Sequence, residues 1–175
     1  STVTALINVN GLLTCENVTV TLDAMNSSGS GELEYEWSNA QGIVSDFSTQ
    51  STFSVTEPGN YSLRVRDDGG CVASTSVVVG EDRDLPNVDA GPDQNIGCVI
   101  EEVTLGSDNN DTGSNFQFRW TGGNLNNDAP LRPTVTTDGI YVLTIRNTQN
   151  GCVASDTAFV TANDALITGL NSTIE

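Results

Sequence analysis

The chain contains no histidine and no lysine. Its 175 residues carry 23 Asp+Glu against 6 Lys+Arg, all of them arginine, and the formal net charge is −17. Without histidine, the Ser-His-Asp and Cys-His nucleophile arrangements are excluded. Without lysine, Schiff-base and P-loop chemistry are excluded as well. Because nucleic acids and anionic membranes are bound through basic patches, we expect neither as a partner.

Long apolar runs are also absent. No stretch approaches the ~18 residues that a membrane-spanning helix needs, and no signal peptide is recognisable. We therefore expect no membrane insertion, and the sequence is typical of a mature or excised segment of a longer precursor.

Adjacent carboxylates are the remaining candidates for catalysis, in the pairs Asp67-Asp68 and Glu101-Glu102. Two carboxyl groups can act as general acid and general base when their surroundings separate their pKa values, usually because apolar residues lie beside one of them. Neither pair has such neighbours in the sequence. We predict that both pairs are solvated, assign no catalytic residue, and expect that the chain is not an enzyme.

One stretch occurs twice. Residues 58–66 read Pro-Gly-Asn-Tyr-Ser-Leu-Arg-Val-Arg and are followed by Gly70-Cys71, whereas residues 138–146 read Asp-Gly-Ile-Tyr-Val-Leu-Thr-Ile-Arg and are followed by Gly151-Cys152. Apolar residues alternate with polar or variable ones, which predicts a strand with one buried face. A second strand follows each cysteine, so each copy predicts a β-hairpin with a cysteine at its turn.

The duplication extends over the whole chain. Cys15 and Cys98 are 83 positions apart, as are Trp37 and Trp120. A repeat of this length is a domain and not a solenoid rung. We predict repeat 1 at 1–80, a linker at 81–86 and repeat 2 at 87–162. Residues 163–175 are predicted to be a linker followed by the first strand of a third repeat, or a donor strand.

The predicted fold class is all-β, with two tandem immunoglobulin-like antiparallel β-sandwich domains. On the Trp strand of repeat 1, Leu33, Tyr35 and Trp37 are predicted to face inward, with Glu32, Glu34 and Glu36 solvated. Each Gly-x-Tyr is expected to form a tyrosine corner, in which the hydroxyl bonds to upstream backbone. The predicted core residues are Trp37, Tyr61, Leu63, Trp120, Tyr141 and Leu143.

Four cysteines allow three pairings. Repeat symmetry favours Cys15 with Cys71 and Cys98 with Cys152, one intradomain disulfide in each repeat. Each bridge would close a loop of more than fifty residues, for which the chain-entropy account gives roughly 4 kcal/mol. The alternative is four free thiols in a cytosolic protein, and zinc is disfavoured by the wide spacing. Disulfides indicate an oxidising compartment, either outside the cell or the periplasm in transit, and the expected location is extracellular, at the cell surface.

Two further kinds of site have candidates. Asp82, Asp84 and Asp89 supply carboxylate oxygens at the predicted domain boundary, where calcium would stiffen the connection. The alternative is that acidic loops only keep the chain soluble. No cofactor is required, and calcium is the one that the sequence suggests. Thr157, in Asp156-Thr157-Ala158, is similar to the O-glycosylation motif of Bacteroidetes envelope proteins.

Two family resemblances follow from these residues. The segment 88–94, Val-Asp-Ala-Gly-Pro-Asp-Gln, followed by Val103-Thr104-Leu105 and Trp120, resembles the opening of a polycystic-kidney-disease (PKD) type domain. The tandem set of cysteine, Trp, Gly-x-Tyr and Gly-Cys resembles the repeats of large Bacteroidetes surface adhesins, including gliding-motility adhesins exported by type IX secretion. Repeat 1 departs from this pattern, with Val9-Asn10-Gly11 at its opening. The resemblance implies a repeat of a surface filament used for attachment or gliding.

The leading hypothesis is therefore a non-enzymatic structural or adhesive repeat of a long extracellular protein. Its expected partners are neighbouring repeats of the same chain or filament and a surface ligand, with polysaccharide as one candidate. One alternative is a fibre subunit that polymerises by strand addition through the C-terminal tail. Another is a carbohydrate-binding module, which the inward phase of the aromatic residues argues against.

Overall fold

The structure is a computed structural model that describes residues 2–123, 125–126 and 129–163. The chain divides into two compact units, Ser1–Asp84 and Leu85–Glu175. All regular elements of the described residues are strands, so these residues include no helix that could span a membrane. The prediction of an all-β, immunoglobulin-like fold is confirmed. The tail predicted to be a third-repeat strand or donor strand lies, from residue 164 onward, outside the described residues.

The described part of the first unit has nine strands. They are β1 (Asn8–Val9), β2 (Leu13–Thr14), β3 (Val20–Asp23), β4 (Leu33–Asn39), β5 (Gly42–Ser48), β6 (Thr52–Val55), β7 (Gly59–Asp67), β8 (Val72–Val79) and β9 (Glu81–Asp82). One sheet has the order β1-β3-β6 and the other the order β5-β4-β7-β8, while β2 pairs in parallel with β9. Two antiparallel sheets facing each other form the sandwich.

The described part of the second unit has six strands. They are β10 (Gln94–Gly97), β11 (Val103–Thr104), β12 (Phe116–Thr121), β13 (Thr134–Val135), β14 (Gly139–Asn147) and β15 (Val153–Asn163). One sheet has the order β10-β15-β14-β12, with β10 parallel to β15, and the other pairs β11 with β13. The hairpins β7–β8 and β14–β15 are the two copies of the duplicated stretch.

Each unit has its own hydrophobic core, and the inward residues of the hairpins form its centre. Leu63 and Leu143 are fully buried at the positions where an antibody-type domain carries its second cysteine. All six predicted core residues are buried in these two cores: Trp37, Tyr61 and Leu63 in the first, and Trp120, Tyr141 and Leu143 in the second.

Both tyrosine corners are present, which confirms the prediction. The Tyr61 hydroxyl donates to the Glu57 carbonyl at 2.9 Å, and the Tyr141 hydroxyl donates to the Thr137 carbonyl at 2.8 Å. Burial, followed by the charge of Glu57, raises the pKa of Tyr61. The Tyr61 hydroxyl therefore remains a donor at neutral pH, and the two hydrogen bonds fix the start of β7 and of β14.

The two units differ next to the strand that carries the buried tryptophan, which is β4 in the first unit and β12 in the second. In the first unit β5 pairs with β4, whereas in the second unit the segment after β12 contributes Leu125 and Leu131 to the core. The Trp120 indole N–H donates to the Leu131 carbonyl at 3.1 Å. The Trp37 indole N–H is buried and has no hydrogen-bond partner among the described residues, although its ring stacks on Phe53 at 5.9 Å.

Three sequence predictions about polar residues need correction. Glu81 and Asp82 were predicted to be linker, but they form β9, which pairs with Leu13 and Thr14 of β2. Glu36 was predicted to be solvated, but it is buried and accepts a 2.7 Å hydrogen bond from Arg64 on the neighbouring strand. A charge on the outer face is thus covered by the long side chain of its cross-strand partner.

Asp67, predicted to be half of a solvated pair, is also buried. Its Oδ1 accepts the backbone N–H of Cys71 at 2.9 Å, and its Oδ2 accepts that of Ser30 at 3.3 Å. The carboxylate therefore holds the hairpin turn and the loop beside it.

Candidate functional site: cysteine turns at opposite ends of each unit

Each unit carries two cysteines, and both lie at turns next to strand ends. We call Cys15 and Cys98 the first-position cysteines, because they come first in their repeats. Cys71 and Cys152 are the second-position cysteines.

The second-position cysteines lie at the tips of the hairpins. The Cys71 carbonyl accepts the N–H of Asp67 at 3.1 Å, and the Cys152 carbonyl accepts that of Asn147 at 2.8 Å. Their own N–H groups donate to side-chain oxygens, that of Cys71 to Asp67 and that of Cys152 to Asn150, both at 2.9 Å. The turn glycine before each cysteine has a positive φ, 78° at Gly70 and 75° at Gly151. The backbone of both cysteines is therefore fixed.

The first-position cysteines lie in four-residue turns that end β2 and β10. The Thr14 N–H donates to the Asn17 carbonyl at 2.9 Å, and the Gly97 N–H donates to the Ile100 carbonyl at 2.7 Å. The two hydrogen bonds are equivalent under the 83-residue offset of the repeat. Around Cys15, the Thr14 hydroxyl also accepts the N–H of Asn17 at 2.8 Å.

Strand register places the two cysteines of the first unit at opposite ends of its sandwich. Cys15 follows β2, and β2 pairs with β9, which comes directly after β8 in the chain. Cys15 therefore lies near the end of β8, whereas Cys71 comes directly before the start of β8. An eight-residue strand is about 25 Å long, and a disulfide needs Cα atoms within about 7 Å. The predicted Cys15–Cys71 bridge is therefore wrong.

The same argument applies to the second unit. Cys98 follows β10, whose last residue, Gly97, pairs with Asn163 at the end of β15, while Cys152 precedes the first residue of that strand. The eleven residues of β15 span about 35 Å at the usual rise. The predicted Cys98–Cys152 bridge is therefore wrong as well.

The observed cysteine states agree with this register. Cys15 and Cys152 are disulfide-bonded, whereas Cys71 and Cys98 are free thiols and are exposed. Each predicted bridge thus has one bonded and one free member. Of the bonded cysteines, Cys15 is the first-position cysteine of repeat 1 and Cys152 is the second-position cysteine of repeat 2. Cys152 is fully buried, although its free counterpart Cys71 is exposed.

Exposed apolar residues accompany both free thiols. Cys98 lies in a shallow groove lined by residues 95–100 and Asn163. Within this groove Val99 is 94% exposed and Ile100 is 55% exposed. At the other free thiol, Val72 follows Cys71 on the hairpin tip and is 46% exposed. Cys98 thus lies in a small apolar groove, and Cys71 has one half-exposed apolar neighbour.

The predicted calcium ligands belong to different units, Asp82 and Asp84 to the first and Asp89 to the second. Among the described residues, no group of three or more His, Cys, Asp or Glu side chains is placed to hold a metal ion. Calcium binding by Asp82, Asp84 and Asp89 stays a prediction.

Asp89 has a structural role of its own. Its carboxylate accepts the Gly91 N–H at 2.9 Å, and its own N–H donates to the Asn110 side chain at 2.6 Å. The Asn110 amide in turn donates to the Asp89 carbonyl at 3.0 Å. The hydrogen bond from Gly91, followed by one from Ser107, lowers the pKa of Asp89. The network ties the segment before β10 to the loop at 107–110.

The predicted glycosylation site lies within a strand. Thr157 is half-buried near the middle of β15 and is opposite Val142 of β14. Modification at this position stays a prediction.

The outer faces of the two large sheets differ in chemistry. On β4, β5 and β7 of the first unit, Glu34 pairs with Arg66, whose guanidinium lies 4.1 Å from the centre of the Phe47 ring. On β14 and β15 of the second unit, Ile140 and Phe159 are adjacent, 58% and 46% exposed. Phe118 of β12 is 41% exposed, although it lies in the inward phase of Trp120. Sequence alternation along β12 therefore did not reveal that the Phe118 ring is exposed.

No known protein family matches the chain, and no curated protein does. Solved structures do match it. The three N-terminal domains of the bacteriophage RB49 Highly Immunogenic Outer Capsid protein align over 92% of this chain and 59% of that one, with 18% identity and a TM-score of 0.48. The chain thus spans less than two thirds of the length of that structure.

Two further matches have immunoglobulin or PKD domains. The PKD1 domain of Vibrio anguillarum Epp aligns over 47% of this chain and 98% of its own, with 21% identity and a TM-score of 0.35. The N-terminal eight Ig domains of Down Syndrome Cell Adhesion Molecule align over 91% of this chain and 25% of their own, with 13% identity and a TM-score of 0.43. At these identities the likenesses concern the fold alone.

Proposed function

We propose that the chain is a non-enzymatic structural or adhesive repeat region of a long extracellular surface protein. The observation that carries this proposal is the duplication: one immunoglobulin-like unit occurs twice in tandem, and each unit has a cysteine turn at either end of its sandwich. Such a unit can be added repeatedly without a change in its internal packing. The resemblance to Bacteroidetes adhesin repeats suggests attachment or gliding as the use.

Two physical properties support an extracellular repeat. Disulfide-bonded Cys15 and Cys152 suit an oxidising compartment. The net charge of −17 makes neighbouring copies repel one another, which opposes non-specific association of many similar sandwiches in one chain. The tyrosine corners and the paired hairpins give each unit a rigid framework.

The size and shape of the native polypeptide test this proposal. An antibody raised against the chain would be used on surface proteins of the source cells, by denaturing gel and by electron microscopy. We expect a band far larger than 18.4 kDa and beaded filaments that carry the label. A band near 18.4 kDa from regular fibres would contradict the proposal and favour a subunit that polymerises through its tail.

Carbohydrate binding is a second candidate, and the exposed pair Ile140 and Phe159 favours it. Ile140 and Phe159 are exposed on the sheet face that also carries the half-buried Thr157, and an exposed aromatic ring can stack on a sugar. Titration with surface polysaccharides should show saturable binding that F159A abolishes. The exposed residue Val78 of β8 in the first unit provides a matched control, because V78A should leave such binding unchanged. An absence of saturable binding would exclude this candidate.

A further inference from the structure

We propose that Cys71 and Cys98 are the sites at which disulfides join this chain to further copies of the repeat. Cys98 would bond to a second-position cysteine and Cys71 to a first-position cysteine. The inference deepens the proposed function, since a row of repeats is what such bonds would connect.

The first argument is the state of the equivalent residues. Cys71 and Cys152 occupy the same place in the repeat, and so do Cys98 and Cys15. One member of each equivalent pair is disulfide-bonded and the other is a free, exposed thiol. The turns at Cys15 and Cys98 are closed by equivalent hydrogen bonds. The hairpin turn at Cys152 is one residue longer than the turn at Cys71, but in both the cysteine carbonyl accepts the N–H of the last residue of the preceding strand.

The second argument is the position of the cysteines within a unit. The first-position cysteine lies at one end of the last long strand and the second-position cysteine at the other, about 25–35 Å away. This distance prevents bonding within a unit. A unit with one thiol at each end can instead bond to two others, and the bonded cysteines, Cys15 and Cys152, are one of each position.

The third argument is the surface around each free thiol. The groove at Cys98 presents Val99 and Ile100, and the hairpin tip at Cys71 presents Val72. Burying these side chains against each other would remove apolar surface from water when the disulfide forms. Exposed carboxylates lie close in the chain to both thiols, Asp68 before Cys71 and Glu101 and Glu102 after Cys98. Their repulsion makes docking dependent on salt.

Bond formation requires an oxidant, and a disulfide such as oxidised glutathione suffices. The Cys98 thiolate attacks one sulfur of oxidised glutathione and releases one glutathione thiolate. The Cys71 thiolate of another copy then attacks the Cys98 sulfur of this mixed disulfide and releases the second. Two protein thiols are oxidised to one disulfide, and one glutathione disulfide is reduced to two glutathione thiols, which take up the two protons that the protein thiols lost.

The experiment mixes two single variants, C71S and C98S, in a glutathione redox buffer at physiological ionic strength or above. One variant is labelled with a heavy isotope, so that mass spectrometry distinguishes heterodimers from homodimers. The mixture can form Cys98–Cys71 heterodimers, Cys98–Cys98 homodimers and Cys71–Cys71 homodimers. We expect heterodimers to exceed the summed homodimers by at least about fivefold, equivalent to roughly 1 kcal/mol. Peptide mapping checks that Cys15 and Cys152 remain bonded.

Two outcomes would overturn the proposal. The first is a statistical mixture, in which homodimers together equal heterodimers, because exposed thiols then react without recognition. The second is a mixture that remains monomeric. The V99D change in the C71S chain should reduce the heterodimer excess, whereas I140D, an equivalent change at an exposed position on β14, should leave it intact. A heterodimer preference alongside a short native polypeptide would retain this inference and reject the proposed function.

Discussion

At the residue scale, the two buried tryptophans are equivalent in the repeat but differ in hydrogen bonding. Changing either to Phe leaves a cavity of similar size, but W120F also leaves the Leu131 carbonyl without its donor. W37F removes an indole N–H that has no partner among the described residues. We therefore expect W120F to destabilise its unit by about 1–3 kcal/mol more than W37F does. Urea unfolding of both variants would measure the difference, and equal losses would contradict it.

Asp89 gives a prediction for pH. Its pKa is lowered from the ordinary value of 3.8 by hydrogen bonds to its carboxylate. The group therefore contributes stability that is complete above pH 3.8 and is lost as the pH falls through its lowered folded-state pKa. We expect D89N to be less stable at pH 7 and to show a shallower loss of stability below pH 4, roughly where free Asp titrates.

Melting temperatures measured between neutral pH and about pH 2 would test this prediction. D46N is the matched control, because Asp46 is exposed on β5 and the change removes the same charge. If the melting temperatures of D89N and D46N change with pH in the same way, the role assigned to Asp89 is wrong.

At the element scale, the turn after β12 depends on close backbone approach. Gly122 has a φ of 110°, and a Cβ at this position would lie against the Ile140 carbonyl oxygen on β14. Gly113 has a similar φ of 116° but open space around the added atom. Both changes to Ala incur the backbone strain, but only G122A adds the clash. We expect G122A to be about 1–3 kcal/mol more destabilising than G113A in chemical unfolding.

The sequence predicted most of the strands, but it did not predict which side chains on them are buried by neighbouring strands. Period-two alternation in residues 59–67 and 139–147 indicated both central strands, because a sheet buries one face. Alternation could not show that Arg64 covers Glu36, since that burial depends on which strand lies beside β4. It also could not show that Phe118 is exposed. In the first unit β5 pairs with β4, but β12 is at the edge of its sheet.

At the scale of the whole molecule, the cysteine states predict a specific thiol count. Alkylation of the unreduced, unfolded chain should modify two cysteines, and peptide mapping should place the adducts on Cys71 and Cys98. C15S and C152S should each raise the count to three and lower the melting temperature, because either change removes a disulfide. C71S and C98S should leave the melting temperature unchanged. A count of zero would instead support the pairing within repeats.

Calcium dependence is a second prediction at this scale. If Asp82, Asp84 and Asp89 bind calcium, excess calcium chloride should raise the melting temperature relative to EDTA. Replacing Asp84 by Asn should then remove the difference. Identical melting in calcium and in EDTA would show that the acidic residues at the boundary only keep the chain soluble.

The sequence by itself determined the duplication, the all-β class, the cores and the tyrosine corners. These properties follow from the alternation of apolar and polar residues along each strand. They also follow from the tryptophan and Gly-x-Tyr residues, which have characteristic positions in a β-sandwich. Only the tertiary structure decided the role of the cysteines. A disulfide depends on Cα atoms within about 7 Å, and spacing along the chain does not give that distance. The parallel pairing of β2 with β9 and of β10 with β15 places the cysteines of each repeat at opposite ends of its sandwich.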